Sequence, residues 1–360
     1  MNHVHRILNI EFLIHSNLML PKVTAVFFGT RIAAPLLWGW LADVTGRRVL
    51  ITQVAALLTV VSFFGLLIRT DYLSIMVLTG FYSAFWTASL PQFESITLNA
   101  LSGREQHYGR IRLWGSVGFV VVALAVGVGR EFYGPSIIPI AALVMLIGIW
   151  LFTLTVSETP RPASVIGGPG FRKLLTQPGV ISLLVVCFLL QMAHSPYYVF
   201  LSIELESSGY SETTVSLLWN LGVVAEILLF LSMGWLLPRF GAVRLMAATV
   251  VLSALRWAML AFTVDWLWWL IIAQILHLAT FGLYHATAIQ LINVSFHGRT
   301  QGRGQALYSA ISFGLGGSVG AWLSGYGYEW GGASLVFGGA AAVSLLALAF
   351  LPAMSRLSQK

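Results

Sequence analysis

Gly39-Trp40-Leu41-Ala42-Asp43-Val44-Thr45-Gly46-Arg47-Arg48 joins an apolar run over 22–42 to another over 49–68. Asp43, Arg47 and Arg48 crowd into ten residues of a chain whose charged fraction is only 9%. Crossing the hydrocarbon core takes about 20 mainly apolar residues, so both flanking runs are long enough to span. The charges then mark a short loop at the membrane face, and Gly39 and Gly46 are expected to let two helix ends approach closely. The rest of the composition agrees. Apolar residues make up 58% and mean hydropathy is +0.84, whereas a soluble domain carries about a quarter charged residues. The chain reads as an all-α membrane protein.

Working outward, eleven segments qualify as spans: 22–42, 49–68, 72–100, 110–129, 135–156, 179–203, 213–237, 243–263, 266–293, 304–326 and 333–352. Charge orients them. If the loop after the first span is cytoplasmic, the same side receives Arg104, Arg110, Arg112, Arg161, Arg172, Lys173, Arg239, Arg244, Arg299, Arg303, Arg356 and Lys360. With Arg47 and Arg48 that side holds fourteen of the twenty basic residues. The opposite loops hold Arg69 and Arg130, with Asp71, Glu131, Glu206, Glu212, Asp265 and Glu329. This is the bias of the positive-inside rule, and it puts the C-terminus in the cytoplasm. The net charge of +7 is therefore topological, and no nucleic-acid partner is expected.

The opening motif has an echo. Gly39-Trp40-Leu41 with Gly46 recurs as Gly234-Trp235-Leu236 with Gly241, and Pro238 stands where Asp43 would align. Parallel repeats of this kind build a class of transporters from two bundles. The expected organisation is an atypical N-terminal segment over 1–21, a bundle of five spans over 22–157, and a cytoplasmic linker over 158–178. A bundle of six spans over 179–352 and a cytoplasmic tail over 353–360 follow. The second bundle has a span whose counterpart in the first would precede residue 1. Residues 1–20, interrupted by His3, His5, Arg6, Asn9, Glu11, His15 and Asn17, do not supply it and lack the apolar core of a signal peptide. The expectation is a chain without the first of twelve helices.

No metal-ligand spacing, phosphate loop or nucleophile elbow stands out, so neither an enzyme nor a cofactor is expected. Cys187 is the single cysteine and lies inside a span. Gly314-Leu315-Gly316-Gly317-Ser318-Val319-Gly320 is glycine-rich, but within a span it reads as close helix packing. The informative residues are the ionisable ones inside spans, since a charge at the bilayer centre costs about 3 kcal/mol or more. Arg31, Glu226, Arg256, His277 and His194 fall near span midpoints, and Glu94 and His285 lie deeper toward the cytoplasm. Glu226 with Arg256 is either a structural ion pair or a proton site. Arg31 either anchors a substrate carboxylate or pairs with Glu94. His277 and His194 relay protons or donate hydrogen bonds, and Tyr197, Tyr198 and Trp219 line a cavity or simply fill the span.

The opening stretch resembles the loop signature G-x-L-A-D-x-x-G-R-[RK] of the major facilitator superfamily, matching at Gly39, Leu41, Ala42, Asp43, Gly46, Arg47 and Arg48. Tyr108 to Phe119, Gln191 to Tyr198, Leu218 to Phe230, Arg256-Trp257 and Gln274 to Ala286 resemble, more specifically, the phenylpropionate permease family. That branch is close to the lactose and nucleoside proton symporters. The resemblance implies a major facilitator fold in the bacterial inner membrane, working as a monomer by alternating access. It implies import of 3-phenylpropionate or a related aromatic acid with protons. The family's intramembrane pattern matches at Arg31, His194, Glu226, Arg256, His277 and His285, with Glu94 where an aspartate is usual. Glu226, Arg256 and His277 also resemble the proton-coupling set of the lactose permeases. The expected roles are proton coupling at Glu226, Arg256 and His277, and substrate binding at Arg31, Glu94, His194, Tyr197, Trp219 and His285. Gating falls to Gly39, Asp43, Gly46, Arg47 and Arg48. A sugar or nucleoside proton symporter, and a truncated paralogue that no longer transports, are the alternatives.

Overall fold

A computed structural model of the chain describes residues 19–69, 71–101, 108–158, 171–296, 301–354 and 357. The expectations for residues 1–18, for 159–170 of the linker and for most of the tail fall outside these. A backbone in lipid must satisfy its own hydrogen bonds, which leaves helices or closed barrels. All the regular structure among the described residues is helical.

The chain divides into two compact units, Met1–Ala163 and Ser164–Lys360. In the first, α1 (Met19–Thr45), α2 (Arg48–Ile68), α3 (Tyr72–Leu101), α4 (Tyr108–Tyr133) and α5 (Ile137–Thr153) follow one another. The second opens on the short α6 (Phe171–Leu175). Then come α7 (Pro178–Ser207), α8 (Glu212–Phe240), α9 (Ala242–Phe262) and α10 (Leu267–Ile275). A π-helical turn, Leu278–Leu283, carries α10 into α11 (Tyr284–Ser295). After α12 (Gln301–Ser309), a second π-helical turn, Ala310–Gly316, leads into α13 (Gly317–Leu346).

Seven stretches among the described residues are long and apolar enough to cross a membrane, one of them the 51-residue Gly304–Met354. That stretch breaks at Gly331 (φ −152°, ψ 18°) and Gly332 (φ 61°, ψ −158°), inside the gap expected between the last two spans. The remaining expected spans correspond to α3, α4 and the 17-residue α5.

In both copies of the sequence repeat a glycine with positive φ follows the first helix. Gly46 (φ 67°) separates α1 from α2, and Gly241 (φ 76°) separates α8 from α9. Left-handed backbone of this kind favours glycine. The first loop is tighter than expected, because α1 continues through Thr45. At Gly39 an added Cβ meets nothing within 4 Å among the described residues.

The start of α2 is instead held by a residue from the far end of the unit. Backbone N–H groups of Arg48 and Val49 donate to the two Glu158 carboxylate oxygens at 3.0 and 2.9 Å. These N–H groups lack helical partners, and a carboxylate also complements the positive helix end. Arg48 Nη1 donates to Gln92 Oε1 of α3 at 3.1 Å, so the turn joins three parts of the unit. Replacing Glu158 by Ala should cost about 1 kcal/mol, read as a lower thermal midpoint in detergent. Glu158→Gln keeps an acceptor and should lose less.

In the second unit α7 is the axial helix. Leu183, Val186, Cys187 and Leu190 of α7 pack with Met246, Tyr284 and Ile292 in one core. Further along, Tyr197, Leu201 and Leu205 pack with Trp257, Leu270 and Phe337 in another. The α7 backbone lies directly against the second π turn and α13: an added Cβ would stand 2.7 Å from Phe188 O at Gly316 and 2.3 Å from Met192 O at Gly320. Ser195 Oγ donates across this contact to Gly317 O at 3.0 Å. The glycine-rich run thus packs helices, as its sequence implies.

Candidate functional site

His194 sits where α7 passes from one apolar core to the other, and around it the second unit collects its buried polar groups. The Arg256 side chain enters from α9 with no exposed surface. Its Nε donates to Ala273 O at 2.7 Å, Nη1 to Thr280 Oγ1 at 2.7 Å and Nη2 to Gln274 Oε1 at 3.2 Å. Ala273 lies in the last turn of α10, where carbonyls lose their helical partners and the helix dipole is negative. The break before the π turn therefore creates the acceptor that the guanidinium fills. Its flat faces are covered too, with Cζ 4.2 Å from the Tyr197 ring centre and 4.7 Å from that of Trp257. Cation–π contacts and neutral acceptors hold this charge.

Glu226 of α8 faces the same π turn from the other side. Gly282 leaves room for it, since a Cβ there would lie 3.0 Å from Glu226 Cγ. The carboxylate Oε2 stands 3.7 Å from His277 Nε2, with the two side chains 16% and 7% exposed. Of the two expected partners for Glu226, the structure brings it to His277. The Arg256 hydrogen bonds go elsewhere.

Aromatic rings surround this pair. His194 lies 5.6 Å from His277 and 5.2 Å from Trp257, between ring centres. His277, Phe281 and His285 form a parallel ladder through the π turn, at 5.7 and 6.0 Å. At its far end His285 Nδ1 meets Tyr308 Oη at 3.3 Å. Of the rings expected to line a cavity or fill the span, Tyr197 and Tyr198 differ in exposure. Tyr197 is wholly buried and donates its hydroxyl to Gln274 Oε1 at 2.9 Å, whereas Tyr198 is 40% exposed. Tyr198 stacks with Trp219 at 6.3 Å and 17°, and Trp219 Nε1 is fixed on Ser202 Oγ at 3.0 Å.

The first unit holds Arg31 on α1, its Cζ 5.1 and 5.2 Å from the Phe27 and Phe28 rings. The side chains of Glu94 and Asp43 lie outside the described residues. Of the loop residues, Arg47 is exposed and Arg48 is tied to α3 as described above.

Sequence reasoning missed Gln274, Thr280, Trp257 and Ser202. For the first two a signal existed, because Gln274, His277 and Phe281 recur at helical spacing and Thr280 adjoins them. Glu158 gave none, because its partners are backbone groups 110 and 109 residues away.

A bundle of long apolar helices enclosing a carboxylate, a guanidinium and two imidazoles defines a polytopic membrane transporter in chemical outline. The family model described as the MFS_1 like family matches residues 19–338, and the chain belongs to that family, within the major facilitator superfamily. It is 30% identical over 285 residues to a probable 3-phenylpropionic acid transporter of Escherichia coli, covering 78% of this chain and 72% of that one. It is 32% identical over 296 residues to the maltose permease of Geobacillus stearothermophilus, covering 79% and 72%. Among solved structures, the nucleoside transporter NupG superposes with a TM-score of 0.82 at 18% identity, over 96% of this chain and 94% of the other. At that identity the likeness is one of fold. The chain is a multi-pass membrane transporter, and it is not an enzyme.

Proposed function

We propose that this transporter imports a small organic anion, an aromatic carboxylate such as 3-phenylpropionate, by proton symport with alternating access. The observation that carries the proposal is the Glu226–His277 pair set in a wall of aromatic rings. Glu226 takes and releases the coupling proton, and His277 receives it. Tyr198 and Trp219 offer a planar face to the substrate ring. The loop from Gly39 to Arg48 works as part of the gate. The protein acts as a monomer in the bacterial inner membrane with its C-terminus in the cytoplasm. The 3-phenylpropionic acid relative supports the substrate class.

A sugar or nucleoside substrate is the second reading, favoured by one observation. Each nitrogen of the fully buried Arg256 guanidinium already donates to a neutral acceptor, so most of its N–H groups are committed within the protein. The maltose permease relative points the same way. Uptake of labelled 3-phenylpropionate, maltose and uridine into cells, with and without a protonophore, separates the readings. The expected result is protonophore-sensitive uptake of 3-phenylpropionate that Glu226→Gln reduces by about a hundredfold. Uptake by Glu226→Gln equal to the parent at every pH, under a proton gradient, would remove the coupling role. Preference for maltose or uridine would transfer the same machinery to the second reading. Silence of an inserted, folded chain toward all three would leave the transport-inactive alternative.

A further inference from the structure

We propose that the proton path does not end at His277 but continues to His194, so that two imidazoles on different helices form a relay with Glu226. The inference rests on the coupling role proposed for Glu226 and extends it to α7.

Three observations carry it. His277 Nε2 faces the Glu226 carboxylate at 3.7 Å. The other nitrogen of that ring, Nδ1, is buried without a hydrogen-bond partner among the described residues, and so is Nε2 of His194. The two rings have their centres 5.6 Å apart at 54°, a separation that ring rotation or one bridging water spans. A buried polar atom with no partner is costly, so two on adjacent rings call for an explanation. A relay supplies one, because each ring nitrogen needs its partner only while a proton passes. The 3.7 Å gap is longer than a hydrogen bond, and such contacts often tighten only in the working complex.

The step balances with neutral rings carrying hydrogen at Nδ1. The Glu226 O–H bond breaks as His277 Nε2–H forms. His277 Nδ1–H breaks as His194 Nε2–H forms. Glu226 is left as a carboxylate, His277 neutral as the other tautomer, and His194 as imidazolium. The charged groups facing the rings are Glu226 from α8 and Arg256 from α9. Tyr197 and Tyr198 add hydroxyl-bearing rings from α7 itself, Phe281 packs from the π turn, and Phe337 of α13 closes the cluster behind Trp257.

The test uses the purified full chain in proteoliposomes, with labelled 3-phenylpropionate, maltose and uridine as probes in every arm. Two quantities are read: accumulation driven by an imposed proton gradient, and counterflow exchange, which needs no net proton movement. His194→Gln and Glu226→Gln should both lose accumulation by about tenfold or more, and in His194→Gln counterflow should fall much less than accumulation. If His194→Gln fails to fold, His194→Asn is read in the same way. Accumulation by a folded His194 variant at the parent level, with Glu226→Gln uncoupled, would overturn the relay and leave the coupling role standing. Loss of counterflow together with accumulation would overturn it in favour of a binding role for His194. Accumulation by Glu226→Gln, or a parent chain that moves none of the probes, would bring down the functional reading and the relay with it.

Discussion

Gly320→Ala is expected to destabilise the second unit strongly, while the same change at Gly338, eighteen residues along α13, leaves it intact or slightly more stable. The added methyl carbon at 320 would sit 2.3 Å from Met192 O and 2.8 Å from Ser195 Cβ. The first of these is backbone, so no rotamer change relieves it. Overpacking in a close-packed interior costs about 1–3 kcal/mol, occasionally more, and here relief requires α7 and α13 to separate. Separation also stretches the Ser195–Gly317 hydrogen bond, one residue from His194. At Gly338 a Cβ meets nothing within 4 Å among the described residues, and alanine is the better helix former by about 1 kcal/mol. Monodispersity after detergent extraction and the thermal midpoint of the two variants decide the matter. Equal midpoints would mean that helix packing at Gly320 is looser than its geometry implies.

That contrast bears on what a sequence can and cannot disclose. Both glycines look alike in an apolar run, and only the neighbouring helix tells them apart. The spans, their break at Gly331-Gly332 and the repeated turn at Gly46 and Gly241 were legible, because length, hydropathy and glycine are local signals. The belonging of Glu226, His277 and His194 to the charged interior was legible for the same reason, since polar groups in spans are conspicuous. Their pairing was not. Charge balance suggested Glu226 with Arg256, but the guanidinium goes to a carbonyl freed by the end of α10 and to the neutral side chains of Gln274 and Thr280. A π-helical turn has no composition of its own, so the acceptor it helps create is invisible until the backbone is seen.

Arg256→Met should be the most damaging change at a single polar residue. Methionine roughly fills the volume and keeps the apolar contacts to Tyr197 and Trp257, so the loss isolates the guanidinium. Gln274 Oε1 would still receive the Tyr197 hydroxyl, and Thr280 Oγ1 would still reach His277 O at 3.3 Å. Ala273 O would keep no side-chain donor. Leaving a buried acceptor bare costs about 1–3 kcal/mol, and the cation–π contacts add on the order of 1 kcal/mol or more when desolvated. Against this stands relief from burying a charge, which in other buried pairs has made apolar replacement neutral or stabilising. Here the first effect should win. The guanidinium rests on acceptors that stay behind when it is removed. A midpoint drop equivalent to about 3 kcal/mol and loss of proton-driven accumulation are expected. Arg256→Lys separates charge from shape: an ammonium keeps the charge but does not reproduce the planar fork that serves three acceptors at once. It should recover part of the coupling and less of the stability. A methionine variant that melts with the parent would show that the arginine is held for its charge alone.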